Sequence, residues 1–360
     1  MPASFDIVSS TGNYQVTVGS ALLADVLDNH PDAIILIDQK LADILPTDAH
    51  RVIKVTATEE NKSLEQSSPI IAKLRELGAN RRTHLLSIGG GIIQDISTFS
   101  ASIYMRGIPW SYLPTTLLGM VDSCIGGKSS INVYGYKNLV GNFYPPAEIV
   151  IDLDFLKSLD ASQIVGGLCE AAKICFARSI DEFNAYLADC PATTMSVSQA
   201  ESIVVRSLRA KQWFIEIDEF DQNERLLLNF GHTFGHALES ATDFRISHGI
   251  SVGMGMIVAE EFSKQHSLLS SEGIVNSFRL TSHVETLLMQ LSAHTKPLSI
   301  IDIELLIEKF DNDKKHRADE YRIVVPNRDG ELTLLGVPRS KQGHSDIRNA
   351  FTVAIERLVG

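Results

Sequence analysis

The 360-residue sequence has few cysteines and no surplus of basic residues. Its four cysteines, Cys124, Cys169, Cys175 and Cys190, form no Cys-x-x-Cys pair, so neither a cysteine zinc site nor a disulfide framework is indicated. The formal net charge of −12 argues against nucleic acid as a partner, because phosphate backbones are bound by basic surfaces. An anionic substrate would therefore need a local cluster of cations.

Long apolar runs are also missing. No stretch approaches the roughly 18 apolar residues of a membrane span, and residues 1–6 lack the basic start and apolar continuation of a secretory signal. We therefore expect a cytoplasmic protein with reduced thiols and no membrane partner. A chain of 360 residues exceeds one ordinary core, so we expect two domains.

The first part of the chain, residues 1–157, alternates apolar runs with helical patterns. Strands are predicted at 33–37, 51–55 and 84–88, and an amphipathic helix at 69–77. The third strand runs into three glycines, Gly89 to Gly91, and a helical pattern follows. Strand, glycine turn and helix are typical of a phosphate-binding crossover, so we predict a Rossmann-like α/β domain.

The second part, residues 158–360, has a different texture and is predicted to be mostly α-helical. The predicted helices span 170–187, 200–217, 233–242, 250–266 and 276–291. A short strand pair is expected at 321–325 and 331–335. A final helix at 347–358 is expected to pack on the outside.

The motif that stands out in the second part is Asn229-Phe-Gly-His-Thr-Phe-Gly-His236, followed by His248. On a helix, His232 and His236 would lie on one face. Imidazole is a common zinc ligand, and a catalytic zinc often has two histidines and one carboxylate. His232 and His248, with a Glu from elsewhere, are a plausible set. The spacing alone is loose, and chance placement of two histidines is the alternative.

Other residue patterns suggest anion and cofactor sites. Asp38, after the first predicted strand, suits a ribose acceptor or a plain helix cap. Lys128 after two glycines, and the Lys137-Asn138 pair, would supply donors to a phosphate or carboxylate. The Gly-Gly-Lys-Ser run is not a P-loop, because Asp122 stands where that motif needs glycine.

The second half adds further charged positions. Glu170 and Lys173 would share a helix face in apolar surroundings, where a Glu is explained by a metal or a cationic partner. Lys211, Arg225 and the run Asp313-Lys314-Lys315 add cations. Each alone is ordinary solvated surface, and only their joint presence suggests a site.

Taken in order, these motifs resemble the dehydroquinate synthase family of sugar phosphate cyclases, from about residue 33 to about residue 325. The matching blocks are Gly-Gly-Gly-x-x-x-Asp, Met-Arg-Gly, Pro-Thr-Thr-Leu-Leu, Val-Asp-Ser-x-x-Gly-Gly-Lys, Lys-Asn-x-x-Gly-x-Phe-Tyr, Gly-Leu-x-Glu-x-x-Lys, Leu-Asn-Phe-Gly-His-Thr-x-Gly-His and Asp-Lys-Lys. Eight ordered blocks are far more specific than any one of them.

The resemblance implies a role for each matched position. A zinc, or another divalent metal such as cobalt, would be held by Glu170, His232 and His248. NAD would be contacted by Asp38, Glu59 to Lys62, Gly90, Gly91, Asp95, Thr115, Thr116, Lys137 and the Phe155 to Ser158 turn. Substrate hydroxyls would meet Asp122, Lys173 and Lys211. The substrate phosphate would be bound by Lys128, Asn138, Asn229, His236, one of Lys314 or Lys315, and Arg106 from a neighbouring subunit of a homodimer. Arg225 would face the substrate carboxylate.

The implied activity is that of a lyase. It would convert 3-deoxy-D-arabino-heptulosonate 7-phosphate to 3-dehydroquinate and phosphate by transient oxidation, elimination, re-reduction and aldol closure. Two alternatives stay open: a related cyclase acting on an amino-substituted analogue or on sedoheptulose 7-phosphate, and a metal-dependent polyol dehydrogenase. Arg225 with Lys211 favours a substrate that carries a carboxylate.

Some positions of this sequence differ from the usual pattern of the family that it resembles. Gln94 replaces a small residue near the glycine turn, Val165 replaces a common Arg, and Trp213 follows Lys211 where smaller residues are frequent. We expect these departures to affect the fit of the substrate more than the chemistry.

Overall fold

The computed structural model describes residues 2–47, 49–291, 298 and 301–359. The chain divides into two compact units, Met1–Leu159 and Asp160–Gly360, with the boundary two residues after the predicted one. In the described residues, no helix combines the length and the apolar character that crossing a membrane requires.

The first unit is built on a seven-stranded sheet with the order β1-β2-β9-β6-β5-β3-β4. Strand β1 is antiparallel to β2, and the other neighbouring pairs are parallel. This arrangement confirms the predicted Rossmann-like α/β class. The strands of the unit, including a separate β7-β8 hairpin, are β1 Ala3–Ile7, β2 Tyr14–Gly19, β3 Ile34–Asp38, β4 Val52–Val55, β5 Leu85–Gly89, β6 Trp110–Pro114, β7 Ile131–Val133, β8 Tyr136–Val140 and β9 Glu148–Asp152.

Three helices of this unit are α1 Leu23–Asn29, α2 Leu64–Glu76 and α3 Gly91–Ile103. Strands β5 and β6 are buried along their whole length, which explains why apolar residues predominate in both. Strand β5 ends at Gly89, and α3 begins two residues later. A Cβ on Gly90 would lie 2.9 Å from the Thr116 side chain, so the turn requires a residue without a side chain.

The second unit is mostly helical, as predicted. Its helices are α4 Ala161–Arg178, α5 Ile180–Ala188, α6 Val197–Ile217, α7 His232–Ala241, α8 His248–Gln265, α9 Ser271–Met289, α10 Ile303–Asp311 and α11 Lys341–Val359. The predicted strand pair is the hairpin β10 Glu320–Asn327 and β11 Glu331–Pro338.

Two sequence predictions about these helices were wrong. The expected single helix over 170–187 is broken at Ser179, whose backbone is extended and whose hydroxyl caps α5 by accepting from the Glu182 amide. The last helix does not lie outside the core. Phe351 is fully buried against Phe234 of α7 and Phe310 of α10, with ring centroids 5.4 and 5.8 Å away. The buried residues of α11 recur at helical spacing, so one side of this helix faces the core.

Candidate active site

Glycines bring three helices of the second unit into close contact. A Cβ on Gly249 of α8 would overlap the carbonyl oxygen of Gly166 on α4, and one on Gly235 of α7 would lie 2.7 Å from the Ser251 carbonyl of α8. Only glycine allows backbones to approach this closely. The predicted metal ligands lie on these same helices, one on each.

Glu170, His232 and His248 converge as predicted. Glu170 is fully buried, and its Oε1 lies 3.7 Å from His232 Nε2 and 3.5 Å from His248 Nε2. Three ligands of a tetrahedral ion, each about 2.1 Å from it, are about 3.4 Å apart. The separations and the donor types of the three side chains therefore fit one shared divalent ion.

Hydrogen bonds fix which nitrogen of each ring is available. His232 Nδ1 lies 3.3 Å from the Phe230 carbonyl, and His248 Nδ1 lies 3.3 Å from Glu239 Oε2. Because a carbonyl and a carboxylate can only accept, both Nδ1 atoms must carry the proton. Both Nε2 atoms then present a lone pair toward Glu170, the arrangement that histidine ligands of metals use.

His236 offers a competing ligand set, because ring nitrogens of His232, His236 and His248 all lie within 4.8 Å of one another. Its hydrogen bonds argue against this set. The Lys315 ammonium lies 3.2 Å from His236 Nδ1, and Asp313 Oδ2 lies farther away, at 3.6 Å. Because an ammonium only donates, the nearer partner favours Nδ1 as an acceptor. The neutral ring then carries its proton on Nε2 and can donate to an anion, but it has no second lone pair for a metal.

Burial and neighbouring charges shift the pKa values of all three histidines. Burial, and then the Lys173 charge, lower the pKa of His232 well below its usual value, so its ring is neutral. Burial and Lys315 lower the pKa of His236 to about 4. Burial would also lower the pKa of His248, but the Glu239 hydrogen bond and the Glu170 charge outweigh it and raise that pKa.

Three cations predicted to meet the substrate are buried in this unit. Lys173 and Arg225 are each 2% exposed, and Lys211 is 7% exposed. Lys173 Nζ lies 2.5 Å from Glu170 Oε2, so the predicted pair on α4 is a buried ion pair. The Arg225 guanidinium donates to the Glu219 carbonyl. Buried cations are costly without acceptors, which makes this group unlike a solvated surface.

The residues of the second unit that were predicted to bind phosphate differ in exposure and in their partners. Lys315 pairs with Asp313 at 3.0 Å and contacts His236, whereas Lys314 is exposed. Lys315 is therefore the lysine of the pair that lies beside the histidine cluster. Asn229 ends the turn before α7 and donates to the Leu226 carbonyl.

In the first unit, the residues predicted to contact NAD form a charged network around Lys62. Its Nζ lies 3.1 Å from Asp95, 2.9 Å from Asn138 Oδ1 and 3.6 Å from Glu59. Lys137 lies 3.7 Å from the same Glu59 oxygen. Burial raises the pKa of Asp95 to about 6, against the opposing effect of Lys62.

The glycine turn lies at the carboxyl ends of the parallel strands, where doubly wound folds bind ligands. Gly90 and Gly91 follow β5. Thr115 is buried, with its amide on the Gly89 carbonyl at 3.0 Å, and the Thr116 hydroxyl accepts from the Gly119 amide.

Three predicted cofactor residues have structural contacts of their own. Asp38 ends β3, and its carboxylate accepts from the Lys40 amide at 3.1 Å, which is the helix-cap alternative. Phe155 packs against the core cluster of the first unit. The exposed Ser158 donates to the Phe155 carbonyl at 2.7 Å.

The remaining predicted substrate residues lie on irregular backbone of the first unit. Asp122 is in a π-helical turn, Gly119–Ser123. Lys128 is exposed and lies over the Phe143 ring at 5.9 Å. Arg106 is exposed in a left-handed conformation, with φ of 70°.

Sequence reasoning missed two acids in the second unit. Glu239 orients His248, and Asp313 lies 3.6 Å from His236 Nδ1 and also pairs with Lys315. Glu239 could have been found, because positions 232, 236 and 239 share one helix face. Asp313 was visible beside the lysines, but its contact with a histidine 77 positions earlier required the fold.

Two family models match the chain consecutively: 3-dehydroquinate synthase N-terminal over residues 52–166 and 3-dehydroquinate synthase C-terminal over residues 167–316. The chain belongs to the 3-dehydroquinate synthase family. A 3-dehydroquinate synthase of Dehalococcoides mccartyi is 34% identical over 337 residues, covering 88% of this chain and 91% of the relative. The resemblance on which the sequence predictions depended is therefore confirmed.

Solved structures share the fold of this family member. A 2-deoxy-scyllo-inosose synthase complexed with carbaglucose-6-phosphate, NAD+ and Co2+ has a TM-score of 0.84 at 23% identity, covering 97% of this chain and 99% of that one. ValA, a 2-epi-5-epi-valiolone synthase from Streptomyces hygroscopicus with NAD+ and Zn2+ bound, has a TM-score of 0.81 at 24% identity, with coverage of 97% and 99%.

Proposed function

We propose that this enzyme converts 3-deoxy-D-arabino-heptulosonate 7-phosphate to 3-dehydroquinate and inorganic phosphate, using NAD and a divalent metal. The observation that carries the proposal is the convergence of Glu170, His232 and His248, with both histidine Nε2 lone pairs toward one carboxylate oxygen. Membership of the 3-dehydroquinate synthase family supplies the reaction class.

Glu170, His232 and His248 would hold the metal, and the residues around Lys62, with Asp38, the glycine turn, Thr115 and Thr116, would contact NAD. When bound, the metal polarises a substrate oxygen and NAD acts as a transient hydride acceptor that is regenerated within one turnover. Two similar folds were solved with NAD+ and with Co2+ or Zn2+, which supports this cofactor pair.

The protein's own residues would mainly hold the substrate in reacting geometry. Buried Lys173 and Lys211 would donate to substrate hydroxyls, and Asp122 would accept from one. His236, with its proton on Nε2, and Lys315 would donate to the phosphate, joined by Lys128, Asn138 and Asn229. Orientation of this kind can supply much of a rate enhancement, because it removes the entropic cost of assembling the reacting groups.

Arg225 is the residue that selects a keto-acid substrate in this proposal. Its guanidinium is 2% exposed, and a buried guanidinium favours a bidentate anion such as a carboxylate. A sugar phosphate without a carboxylate would leave it with weaker partners. The same reasoning disfavours a polyol dehydrogenase, because a neutral polyol has no carboxylate for Arg225 and no phosphate for Lys128 and Lys315.

We also propose that the enzyme is a cytoplasmic homodimer. Cys124, Cys169 and Cys175 are buried free thiols, which suits a reducing compartment. Arg106 is exposed in a strained backbone, as expected of a residue that acts on a neighbouring subunit. Sedimentation at micromolar concentration should give twice the mass of the chain.

The test is a single assay with the NAD- and zinc-loaded enzyme and the keto-acid phosphate. We expect release of inorganic phosphate with no lasting absorbance from NADH. Accumulation of NADH would instead indicate a dehydrogenase, and turnover of sedoheptulose 7-phosphate in place of the keto acid would indicate the other cyclase class.

Arg225→Ala should lower kcat/KM about 100-fold, on the scale of roughly 3 kcal/mol for a charge-assisted contact. Arg209→Ala, at an exposed arginine of the same unit, is the matched control.

A further inference from the structure

The first turn of α3 is joined to the segment 119–130 at two points. Gln94 Nε2 donates to the Ser123 carbonyl at 2.6 Å, and the Ser123 hydroxyl donates back to Gln94 Oε1 at 2.6 Å. The next residue, Asp95, accepts from the Ser130 amide at 3.0 Å. Asp122 comes directly before the first of these points, and Lys128 lies between them.

The two ends of this segment are bonded to different parts of the first unit. Near Lys128, the Gly126 amide donates to the Tyr14 hydroxyl at 2.9 Å, and the Tyr144 amide donates to the Gly127 carbonyl at 2.7 Å. The Asp122 end is a π-helical turn that finishes at Ser123, where the reciprocal Gln94 bonds attach. A π-turn is a rare backbone form that is frequent at functional sites.

Gln94 is well placed to hold the π-helical turn in position. It is 3% exposed, so breaking its bonds would leave buried polar groups without partners. Because it lies one turn from Gly90 and Gly91, it connects the glycine turn to the backbone of Asp122. Glutamine at position 94, where the family pattern has a small residue, therefore leaves the glycine turn intact. It adds two hydrogen bonds from α3 to the π-helical turn 119–123.

We propose that Gln94 is a positioning residue, which sets the carboxylate of Asp122 for the substrate through Ser123 without contacting the substrate itself. This inference rests on the proposed function, in which Asp122 accepts from a substrate hydroxyl. It assigns a positioning role to a buried residue of α3, and measurement of NAD affinity distinguishes that role from a role in NAD binding.

The experiment is a pair of double-mutant cycles in kcat/KM on the loaded enzyme. Gln94→Leu keeps the size of the side chain and removes both bonds to Ser123. We expect a loss of about 10-fold in kcat/KM and a change under about twofold in the NAD dissociation constant. In an Asp122→Asn background Gln94→Leu should have no further effect, whereas its effect should add in full to that of Lys128→Ala.

Thr98→Val is the matched control, since Thr98 is buried on the same helix and its hydroxyl bonds only to the Gln94 carbonyl within α3 among the described contacts. It should leave kcat/KM within about twofold at a comparable loss of Tm. Equal losses in the two variants, or full additivity of Gln94→Leu with Asp122→Asn, would overturn the positioning role.

Failure of the proposed function is distinguishable from failure of this inference. If the wild-type enzyme does not turn over the keto-acid phosphate, the proposed reaction is refuted. Hydrogen exchange then still tests whether the Gln94–Ser123 hydrogen bonds hold the turn 119–123 in place. Amides of residues 119–123 should exchange at least about 10-fold faster in Gln94→Leu than in Thr98→Val, because local opening would cost less. Equal exchange in the two variants would overturn the inference on its own.

Discussion

Two histidine clusters of this protein have similar composition and different geometry. In the first unit, His30 and His84 stack with ring centroids 4.4 Å apart, beside Glu148 and Ser111. His30 Nε2 meets Glu148 at 2.5 Å, His84 Nε2 meets Ser111 at 2.7 Å, and Ser111 donates to Glu148 at 3.1 Å. Both Nε2 atoms therefore donate within the cluster, to Glu148 and to Ser111. The cluster lies at the amino ends of the strands.

In the second unit, two rings donate from Nδ1 and turn their Nε2 lone pairs toward one carboxylate. The comparison teaches that residue type does not make a metal site. Both clusters contain histidines and a glutamate, but only the second directs lone pairs at a common point. The outer hydrogen bonds decide this, because they fix the tautomers.

The largest difference between the clusters should appear when a histidine is removed. His232→Gln should lose stoichiometric zinc and lower kcat/KM by at least about 1000-fold, because one of three ligands is gone. His84→Gln, in the other cluster, should keep one equivalent of zinc and most of the activity. Metal analysis and steady-state kinetics check both. Full zinc content and turnover in His232→Gln would contradict the ligand assignment.

A methyl group between two helices should weaken the metal site without changing a ligand. Gly249→Ala would force α8 away from the Gly166 carbonyl on α4, which carries Glu170. We expect zinc affinity to fall more than about 100-fold and stability to fall by about 1–3 kcal/mol. Gly166→Ala is the control, because its Cβ would meet only ordinary contacts from 3.7 Å outward. Equal zinc affinities in the two variants would refute the packing argument.

Glu239 in the second unit and Glu148 in the first can be compared directly, since each accepts a hydrogen bond from a histidine. Glu239→Gln should raise the zinc dissociation constant about 10-fold to 100-fold, because His248 loses a carboxylate that orients its ring. Glu148→Gln should leave zinc affinity unchanged. Competition with a chromophoric chelator measures both. An unchanged dissociation constant in Glu239→Gln would mean that this contact does not tune the site.

The smallest expected effect concerns the His30–His84 cluster and pH. Burial, and then His30, lower the pKa of His84 from 6.5 to about 4. The folded protein therefore keeps His84 neutral while the unfolded chain takes up a proton. The resulting contribution to stability is present above about pH 6.5 and is lost as the pH falls toward about 4.

His84→Gln should flatten the pH dependence of the unfolding free energy over that window. The expected difference is about 1–2 kcal/mol, which allows for the partial exposure of the ring. Urea titrations near pH 7 and near pH 4.5 would measure it. Parallel curves for the variant and the wild type would show that His84 does not titrate in this way.

The sequence predicted three strands of the first unit, β3, β4 and β5, to within about a residue, because buried parallel strands are short apolar runs and Gly89 to Gly91 mark a turn. The family motifs predicted Glu170, His232 and His248 as metal ligands, and the fold brings these three side chains together. The prediction missed the break at Ser179, because the apolar pattern continues across it, although Ser179 and Glu182 form the Ser-x-x-Glu pattern of a helix start. Nor could the sequence predict which nitrogen of each ring carries the proton, since the tautomers depend on contacts with Glu239 and Lys315 that only the fold creates.

The identity of the third metal ligand is the point on which the account depends most. The direct measurement is the zinc stoichiometry of Glu170→Gln beside that of His236→Gln, with each purified protein loaded under the same conditions. We predict that His236→Gln keeps one tightly bound equivalent, and that Glu170→Gln loses it. Retention by Glu170→Gln together with loss by His236→Gln would show a three-histidine site and contradict the account.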